Sequence, residues 1–87
     1  MPVIFIPALL RNLTGGQERI SVRGATLAEA LTALDEQYPG LRAQLIEGDR
    51  IRPELSVAID NETTEGWLWT RLDESSEIHF VQPLSGG

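Results

Sequence analysis

The residues of this sequence best suited to chemistry are its last five, Pro83-Leu84-Ser85-Gly86-Gly87. A free carboxylate that follows two glycines has no side chain beside it, so another protein's active site could reach the terminal carbon. Pro83 fixes its own φ angle and favours extended backbone before it, and Leu84 offers an apolar anchor. Extended at about 3.3 Å per residue, the stretch from Phe80 to Gly87 would reach roughly 23 Å. The alternative is that the two glycines are slack without a function.

The other chemically active residue types are isolated along the chain. His79 is the single histidine and no cysteine is present, so we interpret it as an ordinary strand residue rather than a catalytic group or a metal ligand. The stretch Asp60-Asn61-Glu62 offers too few oxygens for a calcium site and is typical of a turn. Trp67 and Trp69 share one face if they lie in a strand, which favours core packing, with an exposed docking surface as the alternative.

The charge balance limits the class of partner. The chain has 13 acidic and 7 basic residues and a net charge of −6, which argues against nucleic acid and favours a basic protein surface. Asp73, Glu74 and Glu77, near the last strand, could pair with such a surface or form a solvated turn. No run of about 18 apolar residues exists, so no membrane span is predicted. The apolar N-terminus lacks a preceding basic segment, so we expect no signal peptide and a cytoplasmic location.

All seven basic residues are arginine and the chain contains no lysine. Codon preference is one explanation. The other is chemical, because an activated acyl group is attacked by amines and thiolates. A chain without lysine or cysteine offers few internal targets for such a reaction.

The length of 87 residues predicts a single domain. Residues 3–10 are apolar and predict a buried strand, with Pro7 at an edge or a bulge. The stretch Thr14-Gly15-Gly16-Gln17 is typical of a tight turn. Residues 18–23 alternate between apolar and polar, which predicts the second strand of a hairpin.

One helix is strongly indicated. Thr26 is a good N-cap residue and Glu29 follows three positions later, the pattern of a capping box. Pro39-Gly40 predicts the end of the helix. The apolar stripe consists of Leu27, Ala30, Leu31, Leu34 and Tyr38.

The second half of the chain predicts mainly strands and turns. The predicted order is a short helical turn at 41–46, a loop at 47–54, a strand at 55–59, a turn at 60–62, a strand near 67–69, a turn at 73–76 and a last strand at 77–81. One helix of about three turns can cover one face of a small mixed sheet, which predicts a two-layer α+β domain.

This order of elements, closed by Gly-Gly, resembles the β-grasp fold of ubiquitin and, more closely, the prokaryotic sulfur carriers of the MoaD/ThiS family. Residues 6–11 and 14–17 resemble the opening of the CysO branch, and residues 59–62 resemble its usual turn. Leu84 and Ser85 depart from the valine and alanine usual there. The resemblance implies a mixed sheet of four to five strands on one main helix, with a β-grasp domain at 1–82 and a flexible tail at 83–87.

The resemblance also implies a function: a sulfur carrier, which is a protein co-substrate rather than an enzyme, or the small subunit of a sulfur-transferring complex. Gly87 would be adenylated by an ATP-dependent enzyme of the MoeB/ThiF type, and a rhodanese-like or other sulfur donor would convert it to a thiocarboxylate. No cofactor is expected on the chain itself, since the ATP is used by the partner. Gly86 would give access, and docking is expected to use Phe80, Pro83, Leu84 and Ser85.

The sulfur acceptor and the role of the tail stay open. A cysteine-synthase-like or molybdopterin-synthase-like enzyme would accept the sulfur, and thiamin or secondary-metabolite pathways also fit. A JAMM-type metalloprotease is a further partner that the resemblance allows. Two other classes compete with the carrier: a ubiquitin-like modifier joined through Gly87 to lysines of other proteins, and a β-grasp interaction module with an incidental tail.

Overall fold

The computed structural model describes residues 1–81, so the predicted tail at 83–87 and the boundary at residue 82 lie outside the described residues. The strands are β1 (Val3–Phe5), β2 (Arg19–Ser21), β3 (Ile46–Glu47), β4 (Arg50–Ile51), β5 (Ser56–Ile59), β6 (Glu62–Thr64) and β7 (Glu77–Val81). Five of them form one mixed sheet in the order β2-β1-β7-β5-β6, and β3 and β4 form a separate hairpin. The helices are a 3-10 helix (Ala8–Thr14), α1 (Leu27–Gln37) and α2 (Leu41–Leu45).

The first and last strands lie side by side in the middle of the sheet. β1 runs parallel to β7, with Phe5 opposite His79, and β5 runs antiparallel to β7, with Ser56 opposite Val81. Parallel neighbours point their carboxyl ends in the same direction, so the ends of β1 and β7 and the start of β5 meet at one end of the sheet. We call this the exit end, because β7, the last described strand, ends there at Val81.

The core lies between the inner face of the sheet and α1. Alternation along the strands turns Ile4, Ile78 and Phe80 inward, and helical spacing turns the apolar stripe of α1 toward them. Among residues 1–81, the 16 buried aliphatic and aromatic residues that form the core are Ile4, Ile6, Ile20, Val22, Leu27, Ala30, Leu31, Leu34, Leu41, Leu45, Ile46, Ile51, Val57, Ile59, Ile78 and Phe80.

The predicted start of α1 is confirmed, with one difference in its capping. The Thr26 hydroxyl accepts a hydrogen bond from the Glu29 backbone N–H at 3.2 Å. The Glu29 carboxylate reaches back to the N–H of Ala25 at 2.8 Å, one residue earlier than in a standard capping box. Gly24 allows this tight entry, because a Cβ there would lie 2.6 Å from the backbone nitrogen of Ala30.

The prediction of a strand over residues 3–10 is wrong beyond Phe5. Pro7 has no N–H for a ladder and adopts φ −59° and ψ 146° immediately before the 3-10 helix, whose Leu10 N–H bonds to the Pro7 carbonyl at 2.9 Å. This helix leaves Leu9 73% exposed, although the sequence analysis placed it in a buried strand. The turn that follows is as predicted, with Gly15 and Gly16 at φ 64° and 88°.

The stretch 47–54, predicted as a loop, contains most of a small hairpin. β3 and β4 pair antiparallel, with Ile46 opposite Ile51, and Gly48 takes φ 69° at the turn between them. Ile51 is 1% exposed and belongs to the core. The two strands have two residues each, which is too short for an alternating pattern to show in the sequence.

The prediction of a fourth strand near Trp67 is wrong as well. The strand that pairs with β5 is β6, which follows a two-residue turn at Asp60 and Asn61, with φ 52° and 70°. Trp67 makes only an isolated bridge to Arg50, and the Thr70 N–H closes a turn onto the Trp67 carbonyl at 3.0 Å. The remaining elements follow the predictions, and the five-stranded mixed sheet on one main helix is the expected β-grasp fold.

Candidate functional site

The exit end of the sheet presents exposed apolar side chains. Val81, the last residue of β7, is 56% exposed. Leu9 and Leu13 of the 3-10 helix are 73% and 40% exposed. The 3-10 helix begins directly after β1 ends, so the parallel pairing of β1 and β7 places it at the end of the sheet from which the chain continues toward its terminus.

An open cavity of about 600 Å³ lies beside the 3-10 helix. Leu9, Leu10 and Leu55 give its wall an apolar part, and Arg52 gives it a cation. The Arg52 guanidinium donates to the Ala43 carbonyl at 3.1 Å and lies 3.7 Å from the Glu47 carboxylate. The sequence did not indicate this group, because the polar stretch 47–54 predicted only a loop.

A second arginine fixes the 3-10 helix to the end of β1. The Arg11 Nε donates to the Ile6 carbonyl at 3.1 Å, and its guanidinium lies 3.6 Å from the Glu18 carboxylate. Thr14, which is 1% exposed, places its hydroxyl 2.8 Å from the Gln17 carbonyl at the other end of the segment. The apolar side chains of this helix are therefore presented on a backbone that is fixed at both ends.

The predicted site residues divide between described and undescribed parts of the chain. Phe80 is 7% exposed and packs in the core on the same face of β7 as Ile78. Its side chain is therefore not on an exposed docking surface, contrary to the prediction that docking uses Phe80. Alternation places Val81 outside instead. The predictions for Pro83, Leu84, Ser85, Gly86 and Gly87 fall outside the described residues.

The outer face of the sheet carries an aromatic pair at its centre. The rings of Phe5 and His79 stack with centroids 3.9 Å apart and planes 12° from parallel. The His79 Nε2 lies 3.6 Å from a carboxylate oxygen of Glu77, and both side chains are partly exposed. His79 is therefore an outward-facing strand residue, as the sequence analysis interpreted it. Among residues 1–81, no group of three or more potential metal ligands comes together.

The acidic residues singled out from the sequence lie far from the exit end. Asp73 and Glu74 form the turn before β7, closed by the Ser76 hydroxyl and the Asp73 N–H at 2.8 Å. Glu77 begins β7, four residues before Val81, which is about 13 Å at the usual rise of a strand. The Asp60 carboxylate accepts a hydrogen bond from the Glu77 N–H at 2.9 Å, so the turn at Asp60 and Asn61 is structural, and Glu62 already belongs to β6.

The family to which this architecture belongs follows from comparison with known proteins. The profile of the ThiS family matches residues 4–87, which covers the described fold and continues through the terminal glycines. The chain belongs to the ThiS family. Within the part of this ThiS-family chain that the structure describes, no helix has the length and apolar character needed to cross a bilayer.

The relatives of this ThiS-family chain include both carriers and modifiers. The sulfur carrier protein CysO of Mycobacterium tuberculosis is 25% identical over 89 residues, covering 97% of this chain and 96% of that protein. In fold, the chain resembles one chain of the Amycolatopsis orientalis BexX/CysO complex, with a TM-score of 0.90 and 22% identity. The match covers 100% of this chain and 100% of that chain. It also resembles small archaeal modifier protein 1 of Methanosarcina acetivorans, with a TM-score of 0.77, 27% identity and coverage of 99% and 95%.

Proposed function

We propose that this protein is a sulfur carrier whose working group is the carboxylate of Gly87. The observation that carries the proposal is the match to the ThiS family over residues 4–87, which includes Gly86 and Gly87. The similarity to the mycobacterial sulfur carrier protein CysO over nearly the whole of both chains supports the same role. The protein acts as a co-substrate, and the catalysts are its partners.

The chemistry begins with activation of a poor electrophile. At neutral pH a terminal carboxylate is an anion, and a partner enzyme joins its oxygen to the α-phosphate of ATP, releasing pyrophosphate. Hydrosulfide, or the terminal sulfur of a persulfide on a donor protein, then attacks the carbonyl carbon and displaces AMP. Hydrosulfide leaves a thiocarboxylate directly, whereas a persulfide leaves an acyl disulfide that a second thiol must cleave, which releases the thiocarboxylate and forms a disulfide with the donor sulfur. Gly87 and Gly86 suit both steps, because they have no side chains to obstruct two successive nucleophiles.

The described residues supply a docking surface for the adenylating enzyme. At the exit end, Leu9, Leu13 and Val81 expose apolar surface on elements that are already fixed by hydrogen bonds. Exposed apolar groups on a rigid frame bind a partner with little loss of conformational entropy. Pro83, Leu84 and Ser85 would extend this surface into the partner's active site.

The test is the mass of the full-length protein after incubation with an adenylating enzyme of the MoeB/ThiF type, Mg²⁺-ATP and a sulfide source. We expect a new species heavier by the difference between sulfur and oxygen, and the added sulfur should map to Gly87. The variant that lacks Gly86 and Gly87 should gain no mass. The proposal would be refuted if sulfur were found on any other residue. It would also be refuted if this chain gained no sulfur from an enzyme that does add sulfur to its own carrier protein under the same conditions.

A matched pair of variants tests the docking surface separately. Leu9→Ala removes a side chain that is 73% exposed at the exit end, whereas Ser75→Ala changes an exposed residue of the turn before β7, at the opposite end of the sheet. We expect Leu9→Ala to raise the KM for loading by about fivefold or more, and Ser75→Ala to leave it unchanged. Equal kinetics for both variants would place docking elsewhere.

A second function, protein modification, is favoured by the likeness to small archaeal modifier protein 1. In that case the activated Gly87 carbonyl is attacked by a lysine amine of another protein. Incubation of the chain with the adenylating enzyme, ATP and a cell lysate distinguishes the two functions. Isopeptide-linked products that require Gly87 indicate a modifier, whereas a single sulfur-bearing species indicates a carrier.

The partners follow from the same chemistry. A rhodanese-like protein is the proposed sulfur donor, and a cysteine-synthase-like or molybdopterin-synthase-like enzyme is the proposed acceptor. The BexX/CysO complex contains a chain of the same fold bound to another protein. Loss of binding to such an acceptor on deletion of Gly86 and Gly87 would separate the carrier from an interaction module, which would bind without its tail.

A further inference from the structure

An arginine and two tryptophans form a stack on the flank of the domain between β4 and the start of α1. The Arg50 guanidinium carbon lies 5.1 Å from the centroid of the Trp67 ring. The rings of Trp67 and Trp69 are stacked, with centroids 4.9 Å apart and planes 8° from parallel. The Trp67 ring therefore contacts both the Arg50 guanidinium and the ring of Trp69.

The inner part of this stack is fixed by polar contacts. The Trp67 indole N–H donates to the Glu65 carboxylate at 2.9 Å, and Arg50 donates to the Glu65 carbonyl at 3.0 Å. Arg50 Nε is buried without a hydrogen-bond partner among residues 1–81. The guanidinium is held instead by its bond to the Glu65 carbonyl and by its contact with the face of the Trp67 ring. These contacts orient Trp67 and, through the ring stacking, Trp69.

The backbone around the two rings is fixed as well. The carbonyls of Leu68 and Thr70 accept hydrogen bonds from the first N–H groups of α1, at 2.8 and 2.9 Å, and the Leu68 N–H donates to the Asp49 carbonyl at 3.1 Å. The loop that carries Trp69 is therefore held by α1 on one side and by the β3–β4 hairpin on the other. A partner that binds Trp69 would not have to order this loop.

Trp69 is nevertheless 60% exposed. Trp67 covers one face of its ring, so the exposed area belongs to the opposite face and the ring edge. This exposed aromatic surface does not gain the free energy of transfer from water that burial in the core would provide. An exposed aromatic ring on a rigid frame is the usual character of an interface anchor.

The charges around the stack favour a cationic ligand. The charged residues of α1, the β3–β4 hairpin and residues 65–71 are Glu29, Asp35, Glu36, Glu47, Asp49 and Glu65 against Arg50 and Arg71, and the whole chain carries a net charge of −6. Arg50 is already engaged with Trp67. A guanidinium approaching the open face of Trp69 would repeat the arrangement that Arg50 makes on Trp67, with the ring quadrupole and the surrounding carboxylates both attracting it.

We propose that the open face of Trp69 is a docking site for an arginine side chain on a basic surface of a partner protein. The site lies on the flank beside β4 and the N-terminus of α1, whereas the proposed sulfur chemistry uses the exit end. A partner can therefore hold the domain by this flank while the C-terminal residues are engaged elsewhere.

The experiment is a titration of the isotopically labelled full chain, followed by the NMR signals of the two indole N–H groups. The probe is a short acetylated peptide with two arginines separated by glycine, and the matched control peptide carries citrulline in place of each arginine. We expect the arginine peptide to shift the Trp69 indole signal and to bind about two- to fivefold more tightly than the citrulline peptide. Trp69→Ala should abolish the difference between the peptides, and Trp69→Phe should keep part of it.

Two controls separate this site from the exit end. Leu9→Ala removes exposed apolar surface elsewhere and should bind the arginine peptide as the wild type does, and deletion of Gly86 and Gly87 should also leave this binding unchanged. Equal binding of both peptides, or wild-type binding by a folded Trp69→Ala variant, would overturn the proposal. Sedimentation that shows a dimer lost in Trp69→Ala would overturn it as well, since a second copy of the chain would then cover the ring.

Discussion

Single residues at the start of α1 decide how the chain enters its main helix. Thr26 and Glu29 satisfy two backbone N–H groups there, and Gly24 allows the preceding backbone to approach Ala30. The cap was predictable from the sequence because both partners lie within three residues of each other. The close approach at Gly24 was not, because it depends on where the hairpin places the chain relative to the helix.

Replacement of Thr26 by alanine removes the hydroxyl that accepts the Glu29 N–H. We expect the free energy of unfolding to fall by about 1 kcal/mol, the usual value of a lost N-cap, measured by urea denaturation. Thr32→Ala, on the exposed side of the same helix, is the matched control and should be neutral or slightly stabilising, because alanine has the higher helix propensity. Equal losses in both variants would mean that the Thr26 hydroxyl does not cap the helix.

At the scale of elements, the sequence pattern succeeded where a segment is long or strictly alternating. The helix α1, the first hairpin and β7 were predicted because their apolar spacing is clear over several residues. The strand β6 was missed because Glu62, Thr63 and Thr64 are polar residues at the edge of the sheet. The apolar character of Trp67 and Trp69 led to the prediction of a strand there instead, although the neighbouring carbonyls of Leu68 and Thr70 bond to the first N–H groups of α1.

Gly66 controls how the chain passes from β6 to the two tryptophans. It is buried at φ 76°, and a Cβ there would lie 2.9 Å from the Ile51 Cβ and 3.0 Å from a methyl carbon of Val57. We expect Gly66→Ala to lower the free energy of unfolding by about 2–4 kcal/mol, through the left-handed backbone and the added volume together. Near-ultraviolet circular dichroism should report a disturbed stack of Trp67 on Trp69.

The matched control for this variant is Gly48→Ala. Gly48 has a similar φ of 69°, but a Cβ there would have no neighbour within 4 Å. Its loss should be about 1 kcal/mol, since only the backbone strain remains. If the two variants lost the same stability, the contacts of Gly66 with the core would contribute nothing.

At the scale of the whole molecule, folding and the proposed chemistry use different parts of the chain. The buried apolar residues in the described part run from Ile4 to Phe80, and the proposed reactive residues come after them. The sequence predicted this division because the hydrophobic pattern stops before the proline and the glycines. It could not reveal the docking surface at the exit end, which depends on the parallel pairing of β1 with β7.

Deletion of Gly86 and Gly87 should therefore leave the fold intact while abolishing sulfur loading. We expect the free energy of unfolding to change by less than about 0.5 kcal/mol, measured by thermal and urea denaturation. Phe80→Ala provides the contrast, with an expected loss of about 3–5 kcal/mol from a residue that is 7% exposed. A large loss of stability on deletion of the glycines would show that they contribute to the fold.

The position of β7 between β1 and β5 has a consequence for how the protein is made. β7, the last strand of the described residues, lies at the centre of the sheet, so the nascent chain cannot close its hydrogen-bond network while residues 77–81 are still inside the ribosome. A product released early lacks the strand that joins the two halves of the sheet, and it is exposed to proteases as an unfolded chain. The topology thus couples the stability of the sheet to the synthesis of β7.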